Sequence, residues 1–109
     1  LQQLVDETLL YDLDVSYHKQ ILTQFLNKEH TMEAIWSNRQ DGTFIFSNPP
    51  AGLLNAKVRP WFSHAMEDEI YVSKTYTSAL TKKKCMTISC PIKHEGKIIG
   101  VLGADLTII

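Results

Sequence analysis

The chain has 109 residues with 44% hydrophobic and 21% charged positions, enough for one domain with a core and too little for two. Eleven Lys and Arg against twelve Asp and Glu give a net charge of −1, which lacks the basic stripe of a nucleic-acid binder. No run approaches the roughly 18 apolar residues of a membrane span. The opening residues lack the basic start and apolar run of a signal peptide. The chain starts and stops inside patterned sequence, at Leu1 and Ile108-Ile109, which suggests a segment of a longer protein.

Residues 1 to about 28 predict one long helix. Leu1, Leu4, Val5, Leu9, Leu10, Leu13, Tyr17, Ile21, Leu22, Phe25 and Leu26 follow a 3.6-residue period without Gly or Pro. Such a helix, about 42 Å long at 1.5 Å per residue, suits signalling or packing on a second copy, with packing on its own sheet as the plainer alternative. Residues 31 to 37 then alternate as a strand. Asp41-Gly42 marks a hairpin turn, and 43 to 47 returns as the partner strand until Asn48-Pro49-Pro50 stops it. Residues 51 to 58 read as a loop or a short helical turn. Arg59 to Met66 reads as a short helix with proline in its first turn. Residues 70 to 73 read as a short strand, 76 to 81 as irregular, 85 to 92 as a strand ending at Pro91, and 98 to 106 as the last strand after a turn at 93 to 97. This order predicts an α+β fold, an antiparallel sheet carrying helices.

Little in the chain suggests catalysis or a metal. The four histidines show no i, i+4 pairing, and no phosphate loop or nucleophile elbow is present. Glu67, Asp68 and Glu69 read as a solvated helix end, and Lys82-Lys83-Lys84 as a solvated turn. Cys85 and Cys90 would face opposite sides of one strand, about 16 Å apart, too far for a disulfide. No enzyme activity and no cofactor is expected.

Two features are unusual. Arg59 beside Trp61 on a short helix places a five-donor planar cation near an indole N–H, which suits a carboxylate ligand. The plainer alternative is a salt-bridged arginine next to a tryptophan that plugs the core. Asp105 interrupts an apolar strand and needs a partner there, either Arg59 or the ammonium group of a ligand. Tyr71 and Tyr76 could wall a pocket or simply pack with their hydroxyls at its rim.

The runs Asp41 to Ser47, Val58-Arg59-Pro60-Trp61-Phe62 with Ala65, Tyr71-Val72-Ser73 with Tyr76, Pro91-Ile92, and Gly100 to Leu106 together resemble the Cache domains. These are PAS-like extracytoplasmic sensors of chemoreceptors, sensor histidine kinases and diguanylate cyclases. The resemblance implies a five-stranded antiparallel sheet, a long N-terminal signalling and dimerisation helix over 1–28, a sensor core over 29–109, and short helices over one face. It also implies a ligand held against the sheet under residues 48 to 66. In members that bind amino acids, positions matching Arg59 and Trp61 hold the ligand carboxylate, and positions matching Tyr76 and Asp105 hold its ammonium. Phe62, Tyr71 and Ser73 would line the pocket. Phe62 stands where tyrosine is common, and Leu53-Leu54 where a tyrosine is expected.

The resulting expectation is a single periplasmic or extracellular Cache module, 1–109, between two membrane spans. It would bind an amino acid or small organic carboxylate, form a homodimer and have no nucleic-acid partner. Alternatives are a ligand-free interaction module in which Arg59 and Asp105 pair, and a cytoplasmic PAS domain holding haem or flavin.

Overall fold

The structure, a computed structural model, describes residues 2–7, 10–79 and 81–108. Helices α1 (Gln2–Glu7) and α2 (Val15–Lys28) precede strands β1 (Met32–Arg39) and β2 (Phe44–Asn48). Helix α3 (Pro60–Met66) follows, then the short strands β3 (Tyr71–Val72) and β4 (Tyr76–Thr77) and the long pair β5 (Lys84–His94) and β6 (Lys97–Thr107). Among the described residues these strands form one antiparallel sheet in the order β2-β1-β6-β5-β3, with β4 beside β5 off that path. The five expected strands are therefore present, and β4 is a two-residue addition inside the stretch read as irregular.

The single helix expected over 1–28 is instead two helices. Residues 10 to 14 form a turn between them. Asp14 takes an extended conformation, φ −72° and ψ 126°, and its carboxylate accepts the Tyr17 N–H at 2.9 Å. It is thus the N-cap of α2, an arrangement worth about 1 kcal/mol. The leucine spacing carries across the turn, because Leu10 is fully buried in the same cluster as Leu22.

Strand β5 does not end at Pro91. It continues to His94, with Pro91 opposite Val101. On its other side β5 is paired with β3 only at Ile88 and Ser89. Pro91 thus lies past the end of β3, where its missing N–H leaves no ladder bond unmade.

Side chains alternate across the sheet, so each strand supplies two compartments. One face carries Ile35, Leu102, Ala104, Cys90 and Ile92, all buried under Leu10 and Leu22, with Phe25 and Ile21 packed against them. Each fully buried aliphatic side chain here contributes about 1.5–3 kcal/mol. His18 of α2 lies within this layer, fully buried. Its Nδ1 is 2.7 Å from Ser37 Oγ, and its Nε2 is 2.9 Å from the Leu10 carbonyl. A carbonyl only accepts, so Nε2 carries the proton and Nδ1 accepts from Ser37. Burial pushes the imidazole below its ordinary pKa, opposed by the Leu10 and Asp12 carbonyls and by the Asp12 and Asp14 charges.

The other face carries α3. Phe62 and Ala65 pack on Val101 and Ala56. Ser89 Oγ of β5 donates to the Trp61 carbonyl at 2.7 Å, which ties the start of α3 to the sheet. The β1–β2 turn uses Gly42 at φ 89°, a left-handed conformation suited to glycine. Its carbonyl accepts the Ala56 N–H at 2.9 Å, drawing the 49–58 segment across the sheet.

Candidate functional site

A cavity of about 250 Å³ opens on the α3 face of the sheet. Its floor is Ala34 and Trp36 of β1 with Asp105 of β6. Phe44 and Ser47 of β2 close one side, Trp61 of α3 another, and the segment 49–53 covers it. Cross-strand register explains the convergence. Ala34 pairs with Asp105, which pairs on its other side with Thr87, and Trp36 stands between Ser47 and Gly103.

Asp105 is the charged group of this cavity. Thr87 Oγ1 donates to its carboxylate at 2.7 Å. The Tyr76 hydroxyl lies 3.1 Å from Thr87 Oγ1. A threonine hydroxyl has one proton, which goes to the carboxylate, so Tyr76 is the donor in that pair. The relay therefore runs Tyr76 to Thr87 to Asp105. Burial raises the Asp105 pKa, partly offset by Thr87 and Tyr76. Burial likewise pushes the Tyr76 phenol up to about 12. A desolvated carboxylate facing a cavity is suited to receive a cationic group.

The seven residues singled out in the sequence divide into four groups. Trp61 and Asp105 line the cavity, and Tyr76 supports Asp105 through Thr87. Phe62, expected in the pocket, is instead buried beneath α3 at 4% exposure, because its neighbour Trp61 takes the cavity-facing side of that turn. Tyr71 stacks on His64 at 5.1 Å, and the Ser73 hydroxyl donates to the Lys74 carbonyl and accepts the Thr87 N–H. Neither lines the cavity. Arg59 is exposed at the N-cap of α3 and makes no ion pair among the described residues. The Arg59–Asp105 pairing that a ligand-free module would use is thus not formed.

Two residues escaped the sequence reading. Trp36 is 7% exposed, and its ring lies 5.1 Å from Trp61, tilted by 59°. Its usable signal was Gly103, a glycine inside a strand that marks close approach of another group. Thr87 shows no local signal, since its role depends on standing opposite Asp105.

Glu33 marks a second polar cluster. It sits at the β1 bulge, where the register with β6 shifts. Its carboxylate accepts from Ser78 Oγ, from Thr81 Oγ1 at 3.0 Å and from Cys85 Sγ at 3.0 Å. These donors hold its pKa below the ordinary value, Cys85 first. The cluster fastens Ser78, Thr81 and Cys85 to β1.

The fold is shared with solved chemoreceptor sensor domains. The ligand-binding domain of the Pseudomonas aeruginosa amino acid chemoreceptor PctB, in complex with L-Arg, is 24% identical. It superposes with a TM-score of 0.75 over 97% of this chain and 46% of its own. The sensory domain of the Campylobacter jejuni chemoreceptor Tlp3, with isoleucine bound, is 23% identical, with a TM-score of 0.67 over 85% of this chain and 40% of its own. The ligand-binding domain of the Pseudomonas fluorescens chemoreceptor CtaA, in complex with L-alanine, is 27% identical, with a TM-score of 0.58 over 77% and 38%. The chain thus spans less than half the length of the solved domains it matches. Residues 12–109 match the family described as methyl-accepting chemotaxis protein-like, first PDC sensor domain, and the chain belongs to that family of Cache-type, PAS-like sensor domains.

Proposed function

We propose that this sensor domain binds a small molecule carrying a protonated amine, with a carboxylate as in an amino acid. The observation that carries this reading is Asp105, a half-buried carboxylate on the cavity floor with a hydroxyl donor and, among the described residues, no ion pair. An ammonium group placed there would balance the desolvated charge. Arg59, unpaired at the start of the helix that carries Trp61, is the candidate for the carboxylate. The amino acids held by the three matched domains support the same class.

The receptor reading places the domain outside the cytoplasm, periplasmic or extracellular, as one sensor module of a membrane-anchored protein. None of its described helices is long and apolar enough to cross a membrane. A homodimer through the N-terminal helical region is part of the proposal. It rests on α2 rather than on a 28-residue helix, and sedimentation at high concentration tests it. A domain that stays monomeric would remove it.

A thermal-shift screen of amino acids and small carboxylates tests the ligand reading. A hit should raise the melting temperature of the wild type by several degrees. The shift should vanish in Asp105→Asn and shrink in Arg59→Ala. Arg59→Ala itself should melt as the wild type does, because the side chain is exposed and unpaired. A ligand that shifts Asp105→Asn as much as the wild type would overturn the assignment of the amine site.

A further inference from the structure

From the shape of this cavity we infer that the bound molecule's variable group is compact and apolar, and that Trp36 seated on Gly103 sets its size limit. The inference rests on the amine reading above. With the ammonium on Asp105, the sheet floor runs across Ala34 to Trp36 and on to β2. The wall beyond Asp105 is Trp36, Phe44, Pro49, Pro50, Leu53 and Trp61, which supplies carbon surface. The remaining polar side-chain atoms of the lining are the Ser47 hydroxyl, which donates to the Pro49 carbonyl at 2.7 Å, the fully covered Trp36 Nε1, and the Trp61 Nε1. A charged or amide-bearing group entering this compartment would leave water for a wall that is mainly carbon. An acidic group would also face the Asp105 charge.

The size limit comes from the floor. A Cβ built on Gly103 would stand 2.5 Å from Trp36 Cε2 and closer still to Nε1. The indole edge therefore rests directly on the backbone of β6, as deep as glycine permits. Trp36 Nε1 has no hydrogen-bond partner among the described residues and is fully covered. An indole that makes no use of its one polar atom acts here by its shape. At about 250 Å³ the cavity lies below the usual range of about 300–1,000 Å³ for ligand pockets, which suits a molecule of amino-acid size.

Any side chain added at position 103 must lift Trp36 into the cavity, and a smaller ring at position 36 must deepen it. The test is calorimetric titration of wild type, Trp36→Phe and Gly103→Ala with L-alanine, L-valine, L-isoleucine, L-phenylalanine, L-glutamate, L-glutamine and L-lysine. Wild type should bind an aliphatic member at least tenfold more tightly than glutamate, glutamine or lysine. Trp36→Phe should move the preference toward the larger apolar members, and Gly103→Ala toward alanine. If Trp36→Phe does not fold, as judged by its melting curve, Gly103→Ala supplies the same reading in the opposite direction. Equal affinity for aliphatic and charged members, or an unchanged preference order in a folded variant, would overturn the inference and leave the amine site standing. No binding by any member in wild type would overturn both.

Discussion

Replacing Thr87 with valine keeps its volume and removes one hydroxyl. Asp105 then loses a 2.7 Å donor, and Tyr76 loses its acceptor. A hydrogen bond to a charged group contributes roughly 1.5–3 kcal/mol. The Tyr76 bond adds little, since that ring is 38% exposed and water can replace Thr87. At about 4 °C per kcal/mol for a domain of this length, Thr87→Val should melt about 6–12 °C below wild type at pH 7. The pH dependence follows from Asp105. Its folded-state pKa is already raised by burial, and Thr87 pulls it down. Removing Thr87 raises it further and leaves the unfolded value unchanged. The deficit is therefore full where Asp105 is ionised in both folded proteins. It shrinks as pH falls through the two raised values, leaving about 1 kcal/mol for a neutral hydrogen bond. Thermal melts across pH 3.5–8 measure this, and a cycle with Asp105→Asn should show coupling of about 1 kcal/mol. A deficit independent of pH, or additive effects in the cycle, would refute the relay.

Two further measurements test the packing away from the cavity. His18→Leu should cost about 1–3 kcal/mol, because Ser37 and the Leu10 carbonyl lose buried partners. The folded-state pKa of His18 is depressed, so in wild type its contribution is present above the ordinary imidazole value and is lost as pH falls through the depressed one. Chemical denaturation between pH 7 and 5 should show that acid loss in wild type and a flatter profile in the variant; parallel profiles would refute it. Cys85 and Cys90 are both buried, and burial raises both thiols, Cys90 to about 11. A thiol reagent at pH 8 should leave both unmodified in the native protein and label both in denaturant. Rapid native labelling would contradict their placement.

The residues reveal the sheet more readily than the site. Asp41-Gly42 and the alternation around it locate the β1–β2 hairpin, and Pro60 locates the start of α3, because these signals are local. The break before α2 is hidden, since Leu10, Leu13, Tyr17 and Ile21 keep helical steps of three and four across Asp14. A capping role emerges only when the chain turns there. Pro91 misleads for a similar reason. Proline is excluded only from the paired side of a strand, and the length of β3 determines where pairing stops. Asp105 stood out as a charge in an apolar run, and Trp61 through its place beside Arg59. Trp36 and Thr87 did not, because the residues opposite them on neighbouring strands define their roles. The resemblance assigns Phe62 to the pocket, whereas the helical turn directs it into the core.

The alternation along β1 and β6 has a consequence for how such a receptor can diverge. Positions 34, 36, 103 and 105 face the cavity, whereas 35, 37, 102 and 104 face α2. Ligand preference and folding stability are thus written in the same two segments but in alternate letters. A lineage can rewrite one set while holding the other, so that new chemical tastes arise on an unchanged scaffold. An insertion of a single residue in either strand would exchange the two sets and destroy both properties at once.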